Sequence, residues 1–157
     1  MSSKPITIRP FANADFKPVT QLWYHAKKQA FPYSEFQQRL TPFDDECYFR
    51  DTILMKCDVW VAEMDDTIMG FMAMERDYID QLFIDVNHQR QGVGTALLNK
   101  AKEISPTYLR LHTFQQNTKA RQFYEKHGFK TLRFGVSAAP ESIPDVEYGW
   151  WPRTMTL

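Results

Sequence analysis

The chain has 157 residues, 43% of them hydrophobic and 15% aromatic, which is enough to bury one core but little for two, so we predict a single domain over residues 1–157. Its 19 basic and 19 acidic residues cancel, which argues against nucleic acid or an anionic membrane as a partner. No stretch approaches the roughly 18 apolar residues of a membrane span, and the first residues lack the apolar segment of a secretory signal. We therefore expect a soluble, cytoplasmic protein.

The first third of the chain predicts one strand and two helices. Residues 6–9 alternate apolar and polar side chains before Pro10, as a short strand does. Apolar side chains then recur at three- and four-residue steps, which predicts an amphipathic helix that ends near Phe31. Asp44 and Asp45 are candidates for the N-cap of a second helix. The apolar stripe of the first helix consists of Phe16, Val19, Leu22, Trp23 and Ala26.

The rest of the chain alternates strands and helices. Its hairpins imply antiparallel pairs, while a helix between two strands permits a parallel crossover. We therefore predict an α/β (α+β) protein with a mixed, mostly antiparallel sheet of seven strands and about four helices. The further predicted elements are strands 58–64, 68–77 and 78–86, helix 93–104, strand 107–114, helix 117–128, and strands 129–134 and 145–151.

Two cysteines give no sign of a metal site or a redox pair. Cys47 and Cys57 lie ten positions apart, without a CxxC pair or a nearby histidine cluster. We predict two free thiols and no metal.

The segment HQRQGVGTALL, residues 88–98, is a candidate phosphate-binding loop. A nucleotide triphosphatase loop needs GxxxxGK followed by Ser or Thr, and this chain has Leu97 five positions after Gly92, so the required lysine is missing. The dinucleotide pattern GxGxxG fails at the same leucine. Both kinds of nucleotide loop are therefore excluded at this position.

Two interpretations of the loop remain open on the residues alone. A strand that ends at Val86, a glycine-containing turn and a helix N-terminus would together present backbone N–H groups and a partial positive charge, which suits a pyrophosphate. Gly92 and Gly94 would let the backbone approach the phosphates, with Arg90 and Gln91 as further donors. The alternative is a strand-to-helix turn that needs glycine only for its geometry.

Two motifs together resemble the GCN5-related N-acetyltransferase (GNAT) family. The stretch from Gln89 to Gly94 fits the pattern [Q/R]-x-x-G-x-[G/A] of that family's acetyl-CoA loop. The segment NTKARQFYEKHGFK, residues 117–130, is similar to the family's later motif, in which an asparagine caps a helix and a Gly-Phe opens the next strand. The predicted order of elements is also the GNAT order, so the resemblance covers nearly the whole chain and implies the GNAT fold.

The resemblance implies an acetyl-CoA site and no metal. The family's fourth strand carries a bulge that leaves N–H groups free for the thioester and pantetheine, which here points to the backbone of Leu82, Phe83 and Ile84. The implied cofactor-binding residues are completed by the loop and by the helix cap: Gln89, Arg90, Gln91, Gly92, Val93, Gly94, Thr95 and Asn117.

Acetyl transfer to an amine requires a proton acceptor for the amine and a proton donor for the departing thiolate. The resemblance implies Tyr124 as the acid, because many GNAT enzymes carry a tyrosine seven residues after the helix-capping asparagine. Asp80 on the fourth strand and His112 on the fifth are the candidate bases, and a water chain is the alternative to both.

The family's acceptor surface is rich in aromatic residues in this chain. Compact amines suit such a surface through stacking and cation–π contacts, although many of these rings are also expected in the core. We predict transfer to a primary amine of a small molecule, with protein or peptide acetylation and a non-catalytic CoA-binding module as alternatives, by a monomer or a homodimer. The rings belong to Trp23, Tyr24, Phe31, Tyr33, Phe36, Tyr48 and the strand EYGWW, residues 147–151.

Overall fold

The computed structural model describes residues 5–153 and is organised around a seven-stranded sheet with the strand order β1-β2-β3-β4-β5-β7-β6. Neighbouring strands are antiparallel, apart from the parallel pair β4 and β5. The predicted α/β class and mixed seven-stranded sheet are confirmed. The strands are β1 (Thr7–Pro10), β2 (Asp58–Met64), β3 (Thr67–Glu75), β4 (Tyr78–Ile84), β5 (Leu109–Phe114), β6 (Lys130–Val136) and β7 (Pro144–Trp150).

Helices cover both faces of the sheet. A 3₁₀ turn, Asn13–Asp15, precedes the first helix, and a π-helical turn, Phe49–Ile53, joins the third helix to the fourth. The segment between the first helix and β2 is thus divided into several short helical pieces, where the sequence predicted one helix. The helices are α1 (Phe16–Ala30), α2 (Glu35–Arg39), α3 (Pro42–Tyr48), α4 (Leu54–Lys56), α5 (Val93–Ile104) and α6 (Thr118–Lys126).

Each face of the sheet has its own hydrophobic cluster. Successive residues of β3 alternate between the two clusters, since Phe71 and Ala73 join one while Met72 and Met74 join the other. The predicted apolar stripe of α1 packs on the first face, with Val19 fully buried, and Phe49 of the π-helical turn packs beside it. The second face is covered by α5 and α6. The sheet therefore separates the α1 side of the molecule from the α5 side.

The N-cap of α3 is Thr41, so the predicted caps Asp44 and Asp45 are wrong. The hydroxyl of Thr41 accepts the backbone N–H of Asp44, and the Asp44 carboxylate accepts the N–H of Thr41, which is a capping box. Pro42 occupies the first turn, where its missing N–H costs nothing. Asp45 lies one residue further along and is turned into the protein interior.

The bulge in β4 lies at Asp80, two residues before the predicted position. Ala73 of β3 pairs with Gln81 and Met74 pairs with Ile79, so Asp80 is the extra residue. Leu82, Phe83 and Ile84 pair regularly with β3, and the prediction of a bulge among them is wrong. β4 also ends at Ile84 and not at the predicted Val86. Asp85 then forms a turn, because its side chain accepts the N–H of Asn87 and its carbonyl accepts the N–H of His88.

No helix within residues 5–153 is long and apolar enough to cross a membrane. Cys47 and Cys57 are both free thiols.

Candidate active site

The strands β4 and β5 separate soon after they pair, and a cleft opens between them. Their parallel ladder consists of Tyr78 opposite Arg110 and Ile79 opposite Leu111. The bulge at Asp80 follows directly, and bulges bend a strand and increase its twist. From this point the β5 side of β4 has no strand partner among residues 5–153, and a cleft of about 580 Å³ lies beside it.

The N-terminus of α5 lies beyond the end of β4 and presents unpaired backbone donors. The first bond of the helix ladder runs from the N–H of Ala96 to the carbonyl of Gly92. Within residues 5–153 the N–H groups of Val93, Gly94 and Thr95 meet no acceptor, and no side chain caps this helix. The positive end of the helix dipole is thus open to an anion.

The two glycines of the loop serve different purposes. Gly92 has a φ of +84°, a left-handed conformation that side chains disfavour, and a Cβ there would meet nothing within 4 Å. A Cβ at Gly94 would lie 3.1 Å from the ring of Phe123, so this glycine allows α5 to approach α6 closely. Gly94 was predicted to give phosphates access to the backbone. The structure provides another role for this glycine, which is the close packing of α5 on α6.

Three side chains of the loop, those of Gln89, Val93 and Thr95, are buried or hydrogen-bonded to other parts of the protein. Val93 is fully buried, the Thr95 hydroxyl lies 3.1 Å from Nε2 of His127, and the Gln89 amide donates to Gln29 at 3.3 Å. Arg90, at a φ of +65°, and Gln91 are exposed. A ligand at this loop would therefore be held mainly by backbone N–H groups, with Arg90 as the nearby cation.

Tyr124 on α6 presents a hydroxyl to the cleft. Asn117 caps this helix, since its side-chain oxygen accepts the N–H of Ala120, and Tyr124 follows two turns later. The ring is 8% exposed and packs against Phe123 and Phe129. Burial, with a smaller contribution from Tyr78, holds the pKa of Tyr124 well above its ordinary value. Tyr124 lines the cleft, and its hydroxyl has no hydrogen-bond partner within residues 5–153.

Asp80 lines the cleft at the bulge, where it is part of an ion pair. One oxygen is 3.1 Å from Nζ of Lys56, and the other accepts the side-chain amide of Gln81 at 3.1 Å. Burial lowers the pKa of Lys56, but the hydrogen bond and charge of Asp80 outweigh it and raise that pKa overall. The carboxylate of Asp80 is thus paired with a lysine from α4.

His112 lies on β5, lines the same cleft and is exposed. Its Nδ1 is 2.8 Å from the hydroxyl of Tyr78. Burial, followed by the charge of Asp80, raises the pKa of Tyr78 to about 12, so this hydroxyl stays protonated and can pair with either tautomer of the imidazole. When Nδ1 carries the hydrogen and donates to Tyr78, Nε2 is left with a lone pair for a proton.

The far end of the cleft contains a buried ion pair that the sequence did not reveal. Lys27 of α1 donates to Oδ1 of Asp45 at 2.7 Å, and the two side chains are 7% and 2% exposed. The same ammonium lies 3.6 Å from the ring centroid of Trp23. Burial lowers the pKa of Lys27 and raises that of Asp45, and each partner opposes the shift of the other. The available signal was Lys27 itself, a charge four residues after Trp23 on the apolar stripe.

A polar contact bridges the two sides of this far end. The side-chain amide of Gln37 in α2 donates to Glu141, in the loop between β6 and β7, at 2.7 Å. Residues 104 positions apart are thereby joined across the cleft, and neither was predicted as a site residue. The helix α2 and the β6–β7 loop come together only in the folded protein.

The predicted site residues fall into two groups. The loop residues Gln89–Thr95 and Ile84 are not part of the cleft lining, but Gly94 packs against Phe123, the neighbour in sequence of the lining residue Tyr124. Of the aromatic acceptor residues, Trp23, Phe31, Phe36 and Tyr48 line the cleft, but Tyr24, Tyr33 and the EYGWW strand do not. The predicted residues that the cleft does bring together are Asp80, Leu82, Phe83, His112, Asn117 and Tyr124.

The sequence matches a known domain family over its middle part. The family model described as Acetyltransferase (GNAT) domain covers residues 55–131, from α4 to the start of β6. The protein named Peptidyl-lysine N-acetyltransferase YjaB, from Escherichia coli strain K12, is 36% identical over 126 residues, which are 80% of this chain and 82% of that protein.

Solved structures agree with this match. The solution structure of apo-form YjaB from Escherichia coli superposes with a TM-score of 0.78 and 25% identity, over 93% of this chain and 97% of that one. The PaiA N-acetyltransferase from Thermoplasma acidophilum, solved in complex with coenzyme A, superposes with a TM-score of 0.74 and 20% identity, over 94% of this chain and 99% of that one. The fold is therefore shared along nearly the whole length of each chain.

Proposed function

Because this chain belongs to the GNAT acetyltransferase family, we propose that it transfers the acetyl group of acetyl-CoA to a primary amine of a small molecule, with Tyr124 as the general acid. The observation that carries this proposal is the position of Tyr124: its ring is buried in the cleft wall, on the helix whose Phe123 touches the start of α5, and its hydroxyl has no hydrogen-bond partner among residues 5–153. The proposed phosphate-binding site at the start of α5 and the proposed proton donor on α6 thus lie on neighbouring helices.

The donor substrate fits the β4 edge and the start of α5. The N–H groups of Val93, Gly94 and Thr95 are suited to the pyrophosphate of CoA, and Arg90 supplies a positive charge beside them. The unpaired edge of β4 from Asp80 to Ile84 offers backbone groups to the amide-containing arm. The solved PaiA complex, a neighbour in fold, contains coenzyme A.

The reaction forms a C–N bond to the amine and breaks the C–S bond of the thioester, so the amine nitrogen loses a proton and the sulfur gains one. Tyr124 holds its proton at every physiological pH, because burial raises its pKa. The same burial disfavours a thiolate beside it and raises the proton affinity of the sulfur. Tyr124 is therefore matched to donate a proton to the departing sulfur.

The geometry favours His112 over Asp80 as the base. Both carboxylate oxygens of Asp80 are occupied by Lys56 and Gln81. His112 uses only Nδ1, in its contact with Tyr78, and Nε2 makes no hydrogen bond within the described part of the chain. A proton from the amine would move to Nε2, directly or through a water molecule.

The bridge across the acceptor end favours a small acceptor. The contact between Gln37 and Glu141 joins α2 to the β6–β7 loop and encloses the end of a 580 Å³ cleft, whereas an extended peptide needs an open groove. Peptidyl-lysine is the second candidate acceptor, because that is the activity in the name of Escherichia coli YjaB.

The experiment that tests this function is a measurement of CoA thiol release from acetyl-CoA. The purified protein is given small primary amines and lysine-containing peptides at the same concentrations. We expect release with small amines and at least tenfold less with peptides. Release that is faster with peptides would replace the first candidate by the second, and acetyl-CoA binding without release in any reaction would contradict catalysis.

A further inference from the structure

Two buried oxygen atoms at the far end of the cleft have no hydrogen-bond partner within residues 5–153. They are Oδ2 of Asp45 and Oε1 of Gln37. Asp45 is 2% exposed, and both residues line the cleft. A buried acceptor without a donor is costly, and native structures contain few of them away from ligand sites. These two atoms therefore point to a ligand that donates hydrogen bonds.

The atoms of Asp45 and Gln37 that stay available are acceptors. Oδ1 of Asp45 accepts from Lys27, and the amide nitrogen of Gln37 donates to Glu141, so only an oxygen of each side chain is left. The hydroxyl of Tyr33, outside the cleft lining, is also buried without a partner within residues 5–153, and burial and the charge of Glu141 raise its pKa to about 12. A carboxylate or phosphate of a ligand would meet oxygen against oxygen at Asp45 and Gln37, while an ammonium group offers three donors.

The two lysines at this end, Lys27 and Lys28, already have other partners. Lys27 is held by Asp45 and by the ring of Trp23. The ammonium of Lys28 donates to the backbone carbonyls of Gln37, Gln38 and Leu40, each within 2.8 Å. Neither lysine reaches the two free oxygens.

The charge of the cleft is strongly negative. Among the described residues that line it, Lys27 is the single lysine or arginine, and the carboxylates are Asp44, Asp45, Asp80, Glu141 and Asp145. Lys56 pairs with Asp80 from outside the lining. A cation is thus attracted to the cleft and finds unpaired acceptors at its far end.

We propose that this far end is an ammonium subsite, so that the acceptor is an aliphatic diamine or polyamine whose second ammonium is held by Asp45, Gln37 and Glu141. The first amine of the same molecule lies at the other end of the cleft, near His112 and Tyr124, where it is acetylated. This inference rests on the proposed function, because it assigns the substrate class of the same site.

The test compares amines that differ only in the second cation. CoA thiol release is measured with 1,4-diaminobutane, with butylamine, which has the same chain and one amine, and with 4-aminobutyrate, which has a carboxylate instead. Hydrogen bonds to a charged group change affinity by about tenfold to a hundredfold. We expect kcat/KM for the diamine to exceed that for butylamine by this factor, and 4-aminobutyrate to be the poorest of the three.

A charge-neutralising variant and a matched control locate the effect. Glu141→Gln retains the side-chain shape in a surface loop, and we expect it to lower the diamine-to-butylamine ratio about tenfold. Glu35→Gln removes the same charge from α2 at a side chain that is 90% exposed and outside the cleft lining, and it should leave the ratio unchanged.

The outcomes separate the two proposals. If butylamine or a lysine peptide is acetylated as fast as the diamine, the N-acetyltransferase function stands and the ammonium subsite is wrong. The subsite is also wrong if Glu141→Gln leaves the ratio as it is in the wild type. Absence of thiol release with every amine would overturn both.

Discussion

The two ends of the proposed active site offer different parts of the chain to a ligand. At the start of α5 the donors are backbone N–H groups, and the loop 89–95 contains no carboxylate and one charge, Arg90. At the acceptor end the available atoms are side-chain oxygens of Asp45, Gln37 and Glu141. These atoms suit an anion at the first end and a cation at the second, as we propose.

The difference has consequences for specificity. Backbone donors at a helix N-terminus depend on local conformation, so a short glycine-containing segment is enough to form the anion site. The cation site depends on side chains from α2, α3 and the β6–β7 loop, which meet only in the folded protein. We therefore expect the proposed anion site to depend on a few neighbouring residues, and the proposed cation site to depend on the tertiary structure.

Tyr124 lines the cleft on α6, and removal of its hydroxyl should have the largest effect. Without the hydroxyl, the sulfur must leave as a buried thiolate, and loss of a general acid typically slows a reaction by about a hundredfold to ten-thousandfold. We expect Tyr124→Phe to lower kcat for thiol release within this range and to leave the Kd of acetyl-CoA nearly unchanged.

The matched control is Tyr148→Phe. Tyr148 is a fully buried tyrosine whose hydroxyl bonds to Glu125 and Arg121 outside the cleft, so its loss should leave kcat within about twofold. If Tyr124→Phe also stays within twofold of the wild type, the assignment of the acid is wrong.

A smaller effect is expected at the proposed base. His112→Gln retains a polar group beside Tyr78 but cannot take up a proton, so kcat/KM should fall about a hundredfold. Asp80→Asn should lower kcat/KM much less, because both oxygens of Asp80 are already bonded. The rate of thiol release, measured for each variant, decides the question. A hundredfold loss in Asp80→Asn alone would exchange the two roles.

The smallest effect is expected at the anion end. Gly92→Val forces a β-branched residue into left-handed backbone, at a cost of about 1–2 kcal/mol, or roughly tenfold in affinity. Gly92→Asn should bind acetyl-CoA nearly as well as the wild type, because asparagine tolerates that conformation. Calorimetric titration with acetyl-CoA measures both. Equal affinity of the valine variant and the wild type would show that the loop conformation is irrelevant to binding.

The anion end was predictable from the sequence because its determinants are local. The start of α5 at Val93 and the cap at Asn117 are each encoded within a few residues, and the structure places both as predicted, although β4 ends at Ile84 and not at Val86. The mixed seven-stranded sheet followed from the order of the same local patterns.

The cation end was not predictable because its determinants are distant in sequence. The sequence predicted Asp45 as a helix cap. Because Thr41 is the N-cap, Asp45 lies inside the helix, where its side chain pairs with Lys27. The bulge at Asp80 depends on how β4 registers with β3, which no spacing within β4 reveals.

The division of the site into an anion end and a cation end is tested most directly by amide chemical shifts in the ¹⁵N-labelled protein. Coenzyme A is added first, and 1,4-diaminobutane is then added to the saturated complex. We predict that coenzyme A shifts the amides of 93–95 most, and that the diamine shifts those of Gln37, Asp45 and Glu141. Coenzyme A shifts centred on Asp45, or diamine shifts centred on 93–95, would contradict it.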